Sequence, residues 1–195
     1  MKTITAIVWI LLLLLGCELF TDPPDEPNIL HIAIALNYAT TDVKNLHGTL
    51  NDANALSQVF ELMYEQQYEG VMMLQDGSDD LSDTLLPTKD HVLDQIQSAI
   101  EHLQSNDLLI ITYSGHGVAD GSWVLFPTEA DRKIFLADNK TPKPELLLSP
   151  AALFDSISSF EGAVLVIVDS CYAGNFVQEN STSISLVEPS ESIQS

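Results

Sequence analysis

The chain has 195 residues, 46% of them apolar, enough for one domain of ordinary size around a hydrophobic core. Its 28 acidic residues against 7 basic ones leave a formal net charge of −21. No basic stripe exists to neutralise phosphates, which excludes nucleic acid as a partner. The two cysteines, Cys17 and Cys171, sit in such different surroundings that two separate roles are expected, although pairing in an oxidising compartment stays open.

Lys2 precedes the apolar run 4–15, which is short for a bilayer span and ends in Leu14-Leu15-Gly16-Cys17. This pattern resembles the signal peptide and lipobox of a bacterial lipoprotein. The resemblance implies that residues 1–16 are removed, that Cys17 carries lipid, and that the exported chain is held at a bacterial cell membrane, inner or outer, without a spanning helix. A plain signal peptide or an N-terminal anchor helix is the alternative. Residues 17–28, polar and rich in proline, read as a tether.

The domain itself is expected over 29–177. Leu30–Leu36 (LHIAIAL) has the length and character of a strand, and Asn51-Asp52-Ala53 suits the start of a helix whose apolar positions repeat to about Tyr64. Val71–Leu74 is a second strand candidate, followed by a turn-rich acidic loop at 76–80. Thr88-Lys89-Asp90 opens another helix, with Val92, Leu93, Ile96, Ile100 and Leu103 on one face. Leu108–Tyr113 (LLIITY) reads as a strand covered on both faces.

Trp123–Phe126 is a short extended piece ended by Pro127, and 127–148 looks irregular. Ser149-Pro150 places a helix N-cap and first position, and Ala163–Val168 (AVLVIV) is the most β-prone run of the chain. Strands alternating with helices imply an α/β fold with a mainly parallel sheet. Residues 178–195, rich in serine and glutamate, read as a flexible tail.

Two strand ends carry chemistry. Ligands in open α/β sheets gather at the carboxyl ends of strands. His116 follows LLIITYSG and Cys171 follows AVLVIVDS, so neighbouring strands would set an imidazole opposite a thiol. That pair is a candidate base and nucleophile. Gly115 and Gly117 let the backbone turn sharply and a substrate approach closely, and the backbone N–H groups of Gly117 and Cys171 are candidate oxyanion donors. Taken singly, a strand-end cysteine is more often inert core and a histidine after glycine a plain loop residue. A zinc site drawn from His31, His47, His91, His102 and Cys171 has no recognised ligand spacing, so no metal is assigned.

Tyr113-Ser114-Gly115-His116-Gly117 and Asp169-Ser170-Cys171-Tyr172-Ala173-Gly174 look like the His and Cys motifs of caspase-like cysteine peptidases of the C14 type, metacaspases especially. His47-Gly48-Thr49-Leu50-Asn51-Asp52-Ala53 resembles a metacaspase segment after the first strand, with Thr49 where a cysteine would stand. The resemblance implies a caspase-like αβα sandwich, with His116 as general base and acid and Cys171 as nucleophile of an acyl-enzyme route. Leu46 stands where caspases use an arginine to bind aspartate. Asp52 and Asp169 resemble an acidic pocket that accepts Arg or Lys before the cut bond. Asp52 also suits a plain helix-start carboxylate.

The resemblance is incomplete. Only 24 residues follow Cys171, so the small-subunit strands that complete such sheets are expected to be lacking, and the edge at Ala163–Val168 is expected to be open to pairing with another chain. Metacaspases often need calcium; Asp76, Asp79, Asp80 and Asp83 form an acidic loop, but they match no defined calcium loop and read better as solvated. Three functions stay open: a membrane-held cysteine endopeptidase acting on peptides with a basic residue before the cut, a catalytically silent interaction module of the same fold, and another hydrolase or acyltransferase using the same pair.

Overall fold

The structure is a computed structural model and describes residues 26–39, 41–77, 80, 83–127, 135 and 141–176. The expected signal segment, Cys17, most of the tether, Asp79 and the tail lie outside the described residues.

Four parallel strands, β1 (Ile29–Leu36), β2 (Tyr68–Gln75), β3 (Leu108–Ser114) and β6 (Ala163–Asp169), form one sheet in the order β2-β1-β3-β6. A two-residue antiparallel ladder joins β4 (Trp123–Val124) to β5 (Leu147–Leu148). The helices are α1 (Thr49–Tyr64), α2 (Lys89–His102) and α3 (Pro150–Ile157). Every residue of β1 is buried, as a central parallel strand covered on both faces requires.

Alternation along the strands sorts the core into two halves. Ile32, Ile34, Leu36, Leu109, Ile111 and Tyr113 pack with Val92 and Ile96 of α2 and Leu153 of α3. On the opposite face Ile29 and Ile110 meet Phe60 of α1, while Ala33 and Ala35 make room for Ala53. The expected three-layer α/β arrangement is the one observed.

The boundaries differ from expectation where tertiary contacts outweigh local pattern. Helix α1 starts at Thr49, two residues before the expected site, because the buried Thr49 hydroxyl donates to the carbonyl of Leu36 at 3.0 Å. Strand β2 begins at Tyr68 because backbone pairing to β1 carries it through Glu69 and Gly70, which carry no apolar signal. Strand β4 is assigned only to Val124: the Leu125 N–H still bonds the Leu146 carbonyl in the same register, but Phe126 turns its N–H to the Pro87 carbonyl. Ser149 caps α3 as its sequence indicates, its hydroxyl accepting from the Ala152 N–H at 3.2 Å.

Strand β6 is the sheet edge nearest the candidate chemistry. Among the described residues no strand pairs with its outer side, and only Val166 in it is buried.

Candidate active site

The register of β3 against β6 ends at Ser114 opposite Asp169, and His116 and Cys171 each lie two residues further on. The Gly115 N–H donates to the Asp169 carbonyl at 3.2 Å, so the two chains are still joined one step beyond the ladder. A Cβ at Gly117 would stand 2.2 Å from the carbonyl oxygen of Cys171 and 2.8 Å from Oγ of Ser170. A Cβ at Gly115 would stand 2.5 Å from the Tyr113 hydroxyl. Neither glycine has a positive φ. Close approach, and not the sharp turn expected from sequence, excludes a side chain at both positions.

His116 is held on several sides. Its Nε2 lies 2.7 Å from the carbonyl oxygen of Lys44, its backbone N–H donates to the Tyr38 hydroxyl at 2.9 Å, and its ring packs on that of Tyr38 with centroids 4.6 Å apart. Its carbonyl accepts from the Tyr113 hydroxyl at 2.7 Å and from the Val124 N–H at 3.0 Å. The Tyr38 hydroxyl in turn donates to the Val124 carbonyl at 2.7 Å. Burial pushes both phenols well above their ordinary range, so both keep their protons.

Cys171 is a free, exposed thiol. The segment after it is anchored: Phe176 is buried against Trp123, rings 5.4 Å apart, and Trp123 stacks on Tyr113 at 4.5 Å. The Asn175 amide donates to the Ala119 carbonyl at 2.9 Å. The loops after β3 and β6 are thus fastened together on both sides of the histidine and the cysteine.

The backbone at Gly117 has a further property. Gly117 opposes Trp123 in an antiparallel bridge whose bonds run from Val124 N–H to the His116 carbonyl and from Val118 N–H to the Ser122 carbonyl. In such a non-hydrogen-bonded pair the residue's own N–H points away from its partner. Among the described residues neither the Gly117 nor the Cys171 N–H donates to any group.

A cleft of about 670 Å³ opens beside His116. Residues 42–44, 116–119 and 141–142 line it, with buried Val124 and exposed Tyr172, the residue that follows Cys171 in the chain. Neither Asp52 nor Asp169 borders it. Asp169 is exposed at the end of β6, where Oδ2 accepts a long 3.5 Å contact from the Ser114 hydroxyl, and strand alternation places it on the α1 face. Asp52 lies in the first turn of α1, its Oδ2 close over Gly48, where a carboxylate complements the helix N-terminus. Half-buried Leu46 packs against the main core.

The remaining histidines are dispersed. His31 is buried, with Nε2 2.9 Å from the Thr112 hydroxyl and Nδ1 2.9 Å from the Tyr68 hydroxyl; His91 and His102 bond to backbone carbonyls at Leu86 and Ser98. Among the described residues no three His, Cys, Asp or Glu side chains are grouped as a metal would need. In the acidic loop Asp83 caps its own turn, accepting the Leu85 N–H at 2.9 Å.

Two features of the site were not read from the sequence. The Lys44 carbonyl is a backbone group, and no residue type signals it. Tyr38 ends the β1 region with a φ of 58°, and an unexplained tyrosine just past a strand was the only available sign.

A family model described as "Metacaspase, peptidase C14 domain" matches residues 31–180. Metacaspase-8 of Arabidopsis thaliana is 28% identical over 153 residues, covering 76% of this chain and 38% of its own length. Metacaspase-1A of Neurospora crassa is 36% identical over 87 residues, covering 44% of this chain and 18% of its own. The chain thus spans well under two thirds of the length of these relatives. A crystal structure of a Geobacter sulfurreducens protein aligns with a TM-score of 0.51 and 22% identity over 74% of this chain and 51% of that one, a likeness of fold. With its family model matched from the first strand past Cys171, the chain belongs to the metacaspase, peptidase C14 domain family.

Proposed function

We propose that the chain is a cysteine endopeptidase that cuts peptide bonds after Arg or Lys, with Cys171 as nucleophile and His116 as base and acid. The observation that supports this reading is the shared register, in which Ser114 lies opposite Asp169 on adjacent parallel strands, with His116 and Cys171 each two residues further along the chain. The Lys44 carbonyl can only accept, so Nε2 of His116 carries hydrogen and Nδ1 offers the lone pair. Nδ1 takes the thiol proton, sulfur attacks the scissile carbonyl, and the N–H groups of Gly117 and Cys171 receive the oxyanion. The imidazolium then protonates the leaving amine, and water releases the acyl group in a second, base-assisted step.

Asp169 and Asp52 are proposed to attract the basic side chain before the cut bond. Hydrolysis of a fluorogenic arginyl peptide by the Cys17→Ser protein, with and without calcium, tests the reading. Activity abolished in both Cys171→Ala and His116→Ala supports it. Cleavage after Asp alone, or folded protein inert under every condition, overturns it.

A second reading draws on the outer edge of β6, which no strand pairs among the described residues: the domain acts as an interaction module through that edge. Sedimentation of the same protein distinguishes the two, since a silent module self-associates or captures a strand while remaining inert toward peptide. Lipid attachment at Cys17 and residence at a bacterial membrane are proposed from Leu14-Leu15-Gly16-Cys17, and incorporation of labelled palmitate that survives Cys17→Ser would dismiss them.

A further inference from the structure

We infer that the cleft beside His116 receives the leaving-group side of the substrate and selects a bulky apolar residue immediately after the scissile bond. This inference rests on the reading of Cys171 and His116 as nucleophile and base. When the acyl-enzyme forms, a C–S bond is made, the C–N bond breaks with its electron pair going to nitrogen, and the imidazolium passes its proton to that nitrogen. The departing residue must therefore lie alongside the imidazole.

His116 and Gly117 line the cleft together with Tyr172, the residue after Cys171, so a group leaving alongside the imidazole has this cleft to enter. The other side of the reacting carbon has a different environment. Asp169 stands on the α1 face of the sheet, whereas the ring of His116 packs on Tyr38, which belongs to the core of the opposite face. The two sides of the cut bond are consequently separated by the sheet end itself.

The lining decides the chemistry. Val43, Val118, Val124, Ala119 and Pro142 are the aliphatic members of the lining, which also includes Thr141 and Tyr172. The charged members, Asp42 and Lys44, are both exposed, and Asp42 accepts the Phe135 N–H at 2.7 Å. A cleft of about 670 Å³ with apolar walls favours a large hydrocarbon side chain over glycine or a carboxylate.

The test is partitioning of the acyl-enzyme. The full-length protein is supplied with an arginyl thioester and one of leucinamide, phenylalaninamide, glycinamide or aspartamide, and the ratio of amide product to hydrolysis product is measured. Leucinamide and phenylalaninamide are expected to capture the acyl group on the order of tenfold better than glycinamide. An Ala119→Phe variant that stays folded and is still alkylated at Cys171 by an arginyl chloromethyl ketone is expected to lose that preference, because the new ring fills the cleft.

Equal capture of all four amines, or preference for aspartamide through Lys44, overturns the inference. If it fails while the chloromethyl ketone still labels Cys171, the dyad reading stands. If neither labelling nor thioester turnover occurs, both readings fall together.

Discussion

Nε2 of His116 meets the carbonyl oxygen of Lys44 at 2.7 Å, which fixes the tautomer of the imidazole. The partner is a main-chain atom, so the side chain of residue 44 is irrelevant to this bond. Lys44→Ala is expected to leave turnover of an arginyl peptide near that of the parent, whereas His116→Ala lowers it on the order of 10²- to 10⁴-fold. Steady-state rates of the two variants side by side check this. A collapse in Lys44→Ala equal to that in His116→Ala would show that the ammonium, not the carbonyl, matters.

Gly117 faces the backbone of Cys171 with no room for a methyl group. The Gly117→Ala protein must push the loop after β6 away from its 2.2 Å conflict with the Cys171 carbonyl, at a cost of about 1–3 kcal/mol. Urea denaturation should register that loss together with lost activity. Gly174→Ala is the matched control, because nothing stands within 4 Å of its added Cβ, and it should unfold close to the parent midpoint.

Tyr38 contributes one hydroxyl to two main-chain bonds, accepting from His116 N–H at 2.9 Å and donating to the Val124 carbonyl at 2.7 Å. Tyr38→Phe keeps the ring under the imidazole but leaves the His116 N–H unsatisfied, at a cost of roughly 1–3 kcal/mol if it stays buried, while the Val124 carbonyl keeps its 3.2 Å contact with the Tyr113 hydroxyl. The expected signature of a positioning residue is a fall in kcat with little change in KM. An unchanged kcat in a protein that merely melts earlier would reduce Tyr38 to a structural role.

His31 predicts how stability follows acidity. Burial lowers its pKa to about 4 from an ordinary 6.5, and its ring is enclosed by Tyr68, Thr112, Ser57 and Phe60. The unfolded chain takes up the proton first. The neutral form's contribution is therefore complete above pH 6.5 and disappears as pH falls towards 4, at most on the order of 3 kcal/mol. Urea unfolding at pH 7.5 and pH 4.5 should show a smaller difference in His31→Leu than in the parent. Identical differences in the two proteins would remove His31 as the cause.

Much of the architecture was legible because parallel strands covered on both faces are written as near-continuous apolar runs, as in LLIITY, and AVLVIV carries the same pattern although β6 lies at the sheet edge with only Val166 buried. Thr88 and Ser149 announced their helices because a hydroxyl at an N-cap is itself the interaction. The N-terminus of α1 was misplaced because Gly48 supplies no side-chain cap and Thr49 is recruited by a carbonyl of β1. At the site, His116 and Cys171 were visible through residue type and position after strands. The groups that hold the histidine were not, since the Lys44 carbonyl arises from chain direction, which any residue can provide, and Tyr38 acts through a hydroxyl that bonds main-chain atoms of distant loops.

The order of the sheet has a bearing on synthesis. Central strand β1 is made first, but its partner β3 begins at Leu108, opposite Ile29, and β6 is made last of the four. Such distant pairings close slowly. The thiol of Cys171 emerges from the ribosome only after β6, so no shorter nascent chain holds both halves of the candidate dyad. Whatever chemistry they perform together begins with the docking of β6.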